Sequence, residues 1–163
     1  MRDLALRSLA EFPLRLERCF AAFPASMRHW MPGSWDGIPS ERLTAIEQVC
    51  HVRDIERDGY QVRIRRALEE ECPVLVDIPG EQLAIDRRYA AADVEGVLGD
   101  FRRARDTTVA MIAALSEEQL RRPAVFEGER TTLEGLIHFL CGHDHQHLAG
   151  LHWLLGKMTG VQR

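Results

Sequence analysis

The sequence lacks an apolar run that approaches the roughly 18 residues of a membrane-spanning helix, so no membrane partner is expected. Residues 1–20 mix charges of both signs and contain no continuous apolar core, which argues against a secretory signal. Basic residues are not in excess, since 21 Lys and Arg stand against 25 Asp and Glu, and the net charge of -4 argues against a nucleic-acid-binding protein. The four cysteines are scattered without a C-x-x-C pair, which is typical of reduced thiols in a cytoplasmic protein.

The length and the hydrophobic pattern predict a single helical domain over residues 1–163. Neither an internal repeat nor a low-complexity segment divides the chain. Apolar residues recur at helical spacing between Pro, Gly and capping residues, and this pattern predicts four long helices at about 2–23, 41–71, 92–115 and 131–157. The short run VLVDI could form a strand, but a lone strand has no partner. The predicted fold is therefore an all-α four-helix bundle without strands.

Two connections of the predicted bundle, 24–40 and 72–91, are too long for tight hairpins. Long loops in compact domains often carry functional residues. Ser40 is the predicted N-cap of the helix that follows the first of these connections.

Histidine is concentrated near the end of the chain, where five of the seven histidines fall between positions 138 and 152. His143 and His147 lie four residues apart at the edge of the apolar helix face, so both imidazoles could reach one metal ion at roughly 2.0–2.1 Å. The alternative is a pair of core histidines held by hydrogen bonds. The remaining three follow a seven-residue spacing and are expected to face water or a partner chain; they are His138, His145 and His152.

A third metal ligand should come from another helix, and His51 in the second predicted helix is the candidate. Its face also carries Ile55 and Val62, which should turn inward. Glu47 and Asp58 are candidate acceptors for the second N–H of His51, because a metal-bound imidazole usually donates that proton to a neighbour. The alternative for both carboxylates is a solvated surface position. Three neutral imidazoles would leave open positions on the ion, as in catalytic sites, whereas the absence of any Glu-x-x-His pair argues against a di-iron bundle.

A histidine in the second helix followed by H-x-x-x-H in the last helix resembles the DinB/YfiT-like family of metal-dependent enzymes. The segments that carry the resemblance are EQVCHVRDIE around His51 and GHDHQHLAGLHWLL around His143 and His147, and the likeness extends over essentially the whole chain. It implies a four-helix bundle of up-down-down-up order with long loops after helices 1 and 2. It also implies a homodimer and one divalent metal ion, Zn or Ni or else Fe, held by these three histidines.

The same resemblance implies a metal-dependent hydrolase or a thiol-dependent S-transferase that acts on a small molecule. A low-molecular-weight thiol is then a candidate cofactor. Neither composition nor spacing identifies a catalytic side chain or a general base. The alternative function is a non-enzymatic, stress-associated dimeric bundle that binds a metal or a ligand without chemistry.

Two further groups of residues are candidates for a substrate pocket. The first long loop contains aromatic and sulfur-bearing side chains that either wall a pocket over the metal or close one end of the bundle; they are Met27, Trp30, Met31 and Trp35. The second long loop ends in Arg87, Arg88 and Tyr89, which either bind an acidic substrate or lie solvated on the surface. The basic runs RIRR (63–66) and RRAR (102–105) are expected to be solvated helix faces.

Overall fold

The computed structural model describes residues 2–161, which form mainly α-helices. The helices are α1 (Arg2–Ala21), α2 (Ala45–Asp54), α3 (Gln61–Glu69), α4 (Gly80–Asp86), α5 (Val94–Ala113), α6 (Glu117–Leu120) and α7 (Leu133–Val161). The strands are β1 (Val74–Leu75), β2 (Pro123–Phe126) and β3 (Glu129–Thr132). A π-helical segment, Ile55–Tyr60, joins α2 to α3 without a break. Within residues 2–161, no helix combines the length and the apolar character that a bilayer crossing demands.

Four long helical segments form a bundle: α1, the continuous segment from α2 to α3, α5 and α7. Arg2 at the start of α1 donates to the carbonyl oxygen of Leu115, which follows α5. Glu17 near the other end of α1 pairs with Arg102 near the start of α5. The first helix therefore runs antiparallel to α5.

The continuous segment from α2 to α3 runs parallel to α5 and antiparallel to α7. Arg53 lies 3.6 Å from Asp100, and Gln61 further along donates to the carbonyl oxygen of Ala104 in the next turn of α5. In contrast, Gln48 in α2 contacts His147 of α7, whereas Tyr60, later in the segment, contacts the earlier residue His143. The order is up-down-down-up, and the predicted four-helix bundle is confirmed.

A small three-stranded sheet corrects the expectation that the protein has no strands. Val74 in β1 pairs in parallel with Val125 in β2, and β2 forms an antiparallel hairpin with β3. Glu127 and Gly128 in the hairpin turn have φ angles of 51° and 83°, as type I′ turns require. The VLVDI segment does have a partner, but that partner lies about fifty residues further along the chain, beyond the reach of local pattern analysis.

Two predicted helix starts are shifted by the side chains that cap them. The second helix begins at Ala45 because Thr44 and Glu47 form a capping box, whereas the predicted cap, Ser40, accepts a hydrogen bond from Gln48 instead. The last helix begins at Leu133, because residues 131 and 132, where this helix was predicted to start, belong to β3. The first connection of the bundle therefore spans residues 22–44, and we call it the first loop.

A buried ionic network ties three bundle helices together. Arg105 of α5 is 1% exposed and donates to both carboxylate oxygens of Asp144 in α7, at 2.6 and 2.9 Å. It also donates to Glu56 in the π-helical segment, at 2.9 Å. The expectation that the RRAR run is a solvated face is thus wrong for Arg105, because its charge is neutralised inside the bundle.

We expect Arg105→Met to lower the free energy of unfolding by about 3–5 kcal/mol, because it leaves two buried carboxylates without their counter-charge. Urea unfolding measures the loss. Arg103→Met is the matched control, since Arg103 is exposed and pairs only with Asp100, and it should cost less than about 1 kcal/mol. Equal losses in the two variants would contradict the assigned role of the network.

Candidate metal centre

Three histidines meet between α2 and α7, close to the π-helical segment. The Nε2 atoms of His51 and His143 lie 3.2 Å apart, and one ring nitrogen from each of His51, His143 and His147 lies within 4.8 Å of the others. His51 and His147 are 1% and 0% exposed, while His143 is half-buried. The antiparallel packing of the two helices therefore assembles the three side chains that the sequence pattern singled out.

Gln48 fixes the tautomer of His147. Nδ1 of His147 donates to Oε1 of Gln48, so Nε2 of the neutral ring carries a lone pair and no proton. This Nε2 atom is buried without a hydrogen-bond partner, as is Nδ1 of His51. Gln48 was not among the predicted site residues, although its position three residues before His51 on the same helix face was a usable signal.

Burial keeps the three imidazoles unprotonated. It lowers the pKa of His51 from 6.5 to about 4 and lowers the pKa values of His143 and His147 well below 6.5, because each charged ring would be desolvated. Metal binding to histidine requires the neutral ring. The nitrogen donors suit Zn, Ni, Fe or Cu, so the residues present fit a divalent ion.

The carboxylate of Glu41, in the first loop, faces the same nitrogens. Its Oε2 lies 3.2 Å from Nε2 of His147, and its Oε1 lies 3.5 Å from Nε2 of His51. Burial raises the pKa of Glu41, although the side chain stays 27% exposed. Sequence analysis missed this residue because loop side chains follow no periodic pattern.

The expectation that Glu47 and Asp58 orient His51 is corrected by their actual partners. Both donor groups of Thr44 bind the carboxylate of Glu47, at 2.8 and 2.9 Å, in the capping box of α2. Asp58 pairs with Arg87 at 2.6 Å. Both carboxylates are already occupied, and neither contacts His51.

Arg87 and Tyr89, near the C-terminal end of the second long connection, belong to a polar network with residues of the bundle. Arg87 pairs with Asp54 at 2.7 Å as well as with Asp58. The hydroxyl of Tyr89, which is 1% exposed, donates to Asp54 at 2.7 Å. These contacts favour a structural role for Arg87 and Tyr89 over binding of an acidic substrate.

Gly80, the first residue of α4, packs directly on the ring of His51. A Cβ atom at this position would lie 2.5 Å from Cε1 and 2.8 Å from Nδ1 of His51. Only glycine lets the backbone approach the ring this closely. The second long connection thus contributes one wall of the site.

A cavity of about 430 Å³ reaches His143 and Glu41. Its lining combines aromatic and polar side chains: Glu41, Tyr60, Asp77, Phe126, His138, Phe139, Gly142, His143 and Gln146. His145 and His152 are exposed as expected, but His138 is half-buried and lines this cavity, so its predicted outward position is wrong. A second cavity of about 500 Å³ is also lined by Glu41 and Asp77 and extends along Gly80.

The tryptophans of the first loop close one end of the bundle rather than lining this cavity. Met27, Trp30 and Trp35 pack against the apolar core. The rings of Trp35 and Trp153 stack with their centroids 6.3 Å apart. Of the two alternatives for this loop, the hydrophobic cover is the one observed.

Comparisons with known proteins agree with this architecture. A family model described as the DinB superfamily matches residues 9–151. The fold is similar to that of YfiT from Bacillus subtilis, described as a probable metal-dependent hydrolase with an unusual four-helix bundle topology. The two chains are 22% identical, with a TM-score of 0.83 over 97% of this chain and 87% of YfiT. No curated protein matches the sequence significantly.

We expect the metal-free protein to lose stability as the pH falls from 6.5 toward 4. In this interval the unfolded chain protonates His51, whereas the folded protein holds its pKa at about 4, so proton binding favours unfolding. The loss attributable to His51 is roughly 2–3 kcal/mol at about pH 4.5 and vanishes above about pH 7. Urea unfolding with a chelator present measures it. His51→Gln should flatten the pH profile and His152→Gln should not; parallel profiles for wild type and His51→Gln would contradict the assignment.

Proposed function

The chain belongs to the DinB superfamily, and we propose that it is a metal-dependent enzyme in which His51, His143 and His147 hold one divalent ion. The observation that carries the proposal is the convergence of three unprotonated ring nitrogens at a cavity large enough for a small molecule. The description of YfiT as a probable metal-dependent hydrolase supports the same class. Zn and Ni are the first ions to test, and Fe is the next.

The protein's own groups prepare the site for such an ion. Gln48 fixes the ring of His147 with Nε2 toward the other imidazoles, and burial keeps all three rings neutral. When bound, a divalent ion would polarise a carbonyl or phosphoryl group, or lower the pKa of a water or thiol that it coordinates. Fixed orientation of metal-binding side chains by such hydrogen bonds raises metal affinity.

The cavity favours a small substrate with an apolar part. The rings of Phe126 and Phe139 form one wall, with centroids 5.7 Å apart, and His138 supplies a polar edge. Within the part of the chain that the structure describes, the cavity lining includes the carboxylates of Glu41 and Asp77 and no Lys or Arg. Asp77 is already paired with Arg63, and a bound divalent ion would offset the charge of Glu41, so this lining does not select substrates by charge. Hydrolysis is the first reaction to test, because YfiT is described as a probable metal-dependent hydrolase, and thiol-dependent S-transfer is the second.

One observation supports the alternative of a bundle that binds metal without catalysis. The carboxylate of Glu41 faces the same nitrogens and would reduce the number of open positions on an ion. A homodimer and a cytoplasmic location, both expected from the sequence, stay predictions. Sedimentation of the purified protein would test the first of them.

We expect protein purified without a metal-affinity tag to carry about one divalent ion per chain. His51→Ala, His143→Ala and His147→Ala should each weaken metal binding by more than about a hundredfold, because loss of a ligand costs more than loss of an outer hydrogen-bond partner. His145→Ala is the matched control, since His145 is exposed on the same helix and bonds only to the carbonyl oxygen of Cys141. Elemental analysis gives the stoichiometry, and added metal should raise the melting temperature of the wild type.

A metal-free wild-type preparation that also fails to bind Zn and Ni in titration would overturn the proposed metal site. Wild-type affinity for the ion in His143→Ala would overturn the assigned ligand set.

We expect the metal-loaded protein to hydrolyse members of a panel of small esters and amides that carry an apolar group. Activity should disappear on chelation, return on metal addition and be absent in His143→Ala. Phe139→Ala should raise KM several-fold more than it lowers kcat, because the ring is 47% exposed and serves the cavity wall rather than the core. Steady-state kinetics measures both constants. A fully metal-loaded protein that is inert toward this panel and toward thiol adducts would favour the non-enzymatic alternative.

A further inference from the structure

We propose that Glu41 is a fourth protein ligand of the metal, supplied by the first loop to a site whose three other ligands lie on helices. This inference rests on the proposed function, because it concerns the same ion. It changes the expected donor set from three imidazoles to three imidazoles and one carboxylate.

The distances around Glu41 match those between neighbouring ligands of one ion. Donor atoms at roughly 2.0–2.1 Å from a tetrahedral ion lie about 3.3 Å from each other. The observed separations are 3.2 Å between Nε2 of His51 and Nε2 of His143, 3.2 Å between Oε2 of Glu41 and Nε2 of His147, and 3.5 Å between Oε1 of Glu41 and Nε2 of His51. The carboxylate therefore lies at the separation of a neighbouring ligand from two of the three imidazoles.

The hydrogen-bonding state of Nε2 of His147 and Oε2 of Glu41 also favours a bound cation. Nε2 of His147 bears a lone pair, because Nδ1 carries the proton that Gln48 accepts. An ionised carboxylate is an acceptor as well, and both Oε2 of Glu41 and Nε2 of His147 are buried without a hydrogen-bond partner. Two buried acceptors that face each other at 3.2 Å repel unless a metal ion or a proton lies between them.

The backbone of the first loop holds Glu41 in this position. Its carbonyl oxygen accepts hydrogen bonds from the N–H of Leu43 at 2.8 Å, from Oγ of Ser40 at 3.3 Å and from Nε2 of Gln48 at 3.4 Å. Gln48 thus binds the loop through its amide nitrogen and His147 through its amide oxygen. One side chain positions both proposed ligands relative to each other.

Neighbouring carboxylates are already neutralised, whereas Glu41 is not. Asp77 pairs with Arg63 at 3.0 Å, and Glu81 pairs with Arg42 at 2.9 Å. Among residues 2–161, no Lys or Arg forms an ion pair with Glu41, whose only charged-pair contacts are with the two imidazoles. The negative charge of Glu41 is therefore free to balance a metal ion.

The loop position of this ligand gives it a consequence for substrate access. Glu41 borders both cavities and is partly exposed, unlike His51 and His147. The first cavity is lined by both Glu41 and His143, whereas the second is lined by Glu41 and by none of the three histidines. Glu41 is thus the proposed ligand that both cavities reach.

The test compares Co²⁺ binding and visible absorption spectra of the wild type, Glu41→Gln and Glu41→Asp. Co²⁺ reports the number and geometry of its ligands in the intensity and position of its visible bands. Aspartate keeps the charge but withdraws the carboxylate by one methylene group. We expect both variants to change the spectrum and to weaken Zn²⁺ affinity at least about tenfold in a chelator competition, a loss no smaller than that of an outer hydrogen-bond partner.

Glu81→Gln is the matched control, because Glu81 lines the second cavity but pairs with Arg42. Its spectrum and affinity should equal those of the wild type. Thermal unfolding in chelator should show that all variants fold. Superimposable spectra for wild type, Glu41→Gln and Glu41→Asp would overturn the fourth ligand and leave the three-histidine site intact. Failure of the wild type to bind Co²⁺, Zn²⁺ or Ni²⁺ would instead overturn the proposed function itself.

Discussion

The antiparallel packing of α2 against α7 is the constraint on which the whole site depends. It sets Gln48 and His51, one turn apart on one helix, opposite His147 and His143, one turn apart on the other. Because backbone hydrogen bonds already hold both helices, the imidazoles converge without help from an ion. Such preorganisation means that little conformational freedom remains to be lost when a ligand binds.

The register of that packing is enforced by the buried charges beside it. Asp144 follows His143 directly in α7, and its carboxylate is bound by Arg105 of α5. Sliding α7 by one turn would leave Asp144 buried without a counter-charge, which is far less favourable than the native pairing. We therefore interpret the ionic network as fixing the position of α7, and with it His143 and His147, relative to α2. This role is separate from its contribution to stability.

The parts of this architecture that obey periodicity could be read from the sequence, and the parts that depend on long-range contacts could not. Helical spacing was enough to find the bundle and to place His143 beside His147. It could not find Glu41 or Gly80, because no local rule states which loop residue will fold back over a helix. Strand β1 escaped for the same reason, since its partner β2 lies about fifty residues further along the chain. The hairpin of β2 and β3 is local, but it was missed because the last helix was predicted to begin at residue 131, inside β3.

The small sheet nevertheless shapes the cavity beside the histidines. Pairing of β1 with β2 brings Asp77, just after β1, and Phe126, at the end of β2, to the cavity beside His143. The bundle is shared with a protein only 22% identical, so the helices alone cannot specify a substrate. In the proposed function, imidazoles on rigid helices would bind the ion, whereas the loop and sheet residues around them would set the charge and shape of the cavity. Substitution of Asp77 or Phe126 would then alter substrate preference without disturbing the helices that carry the imidazoles.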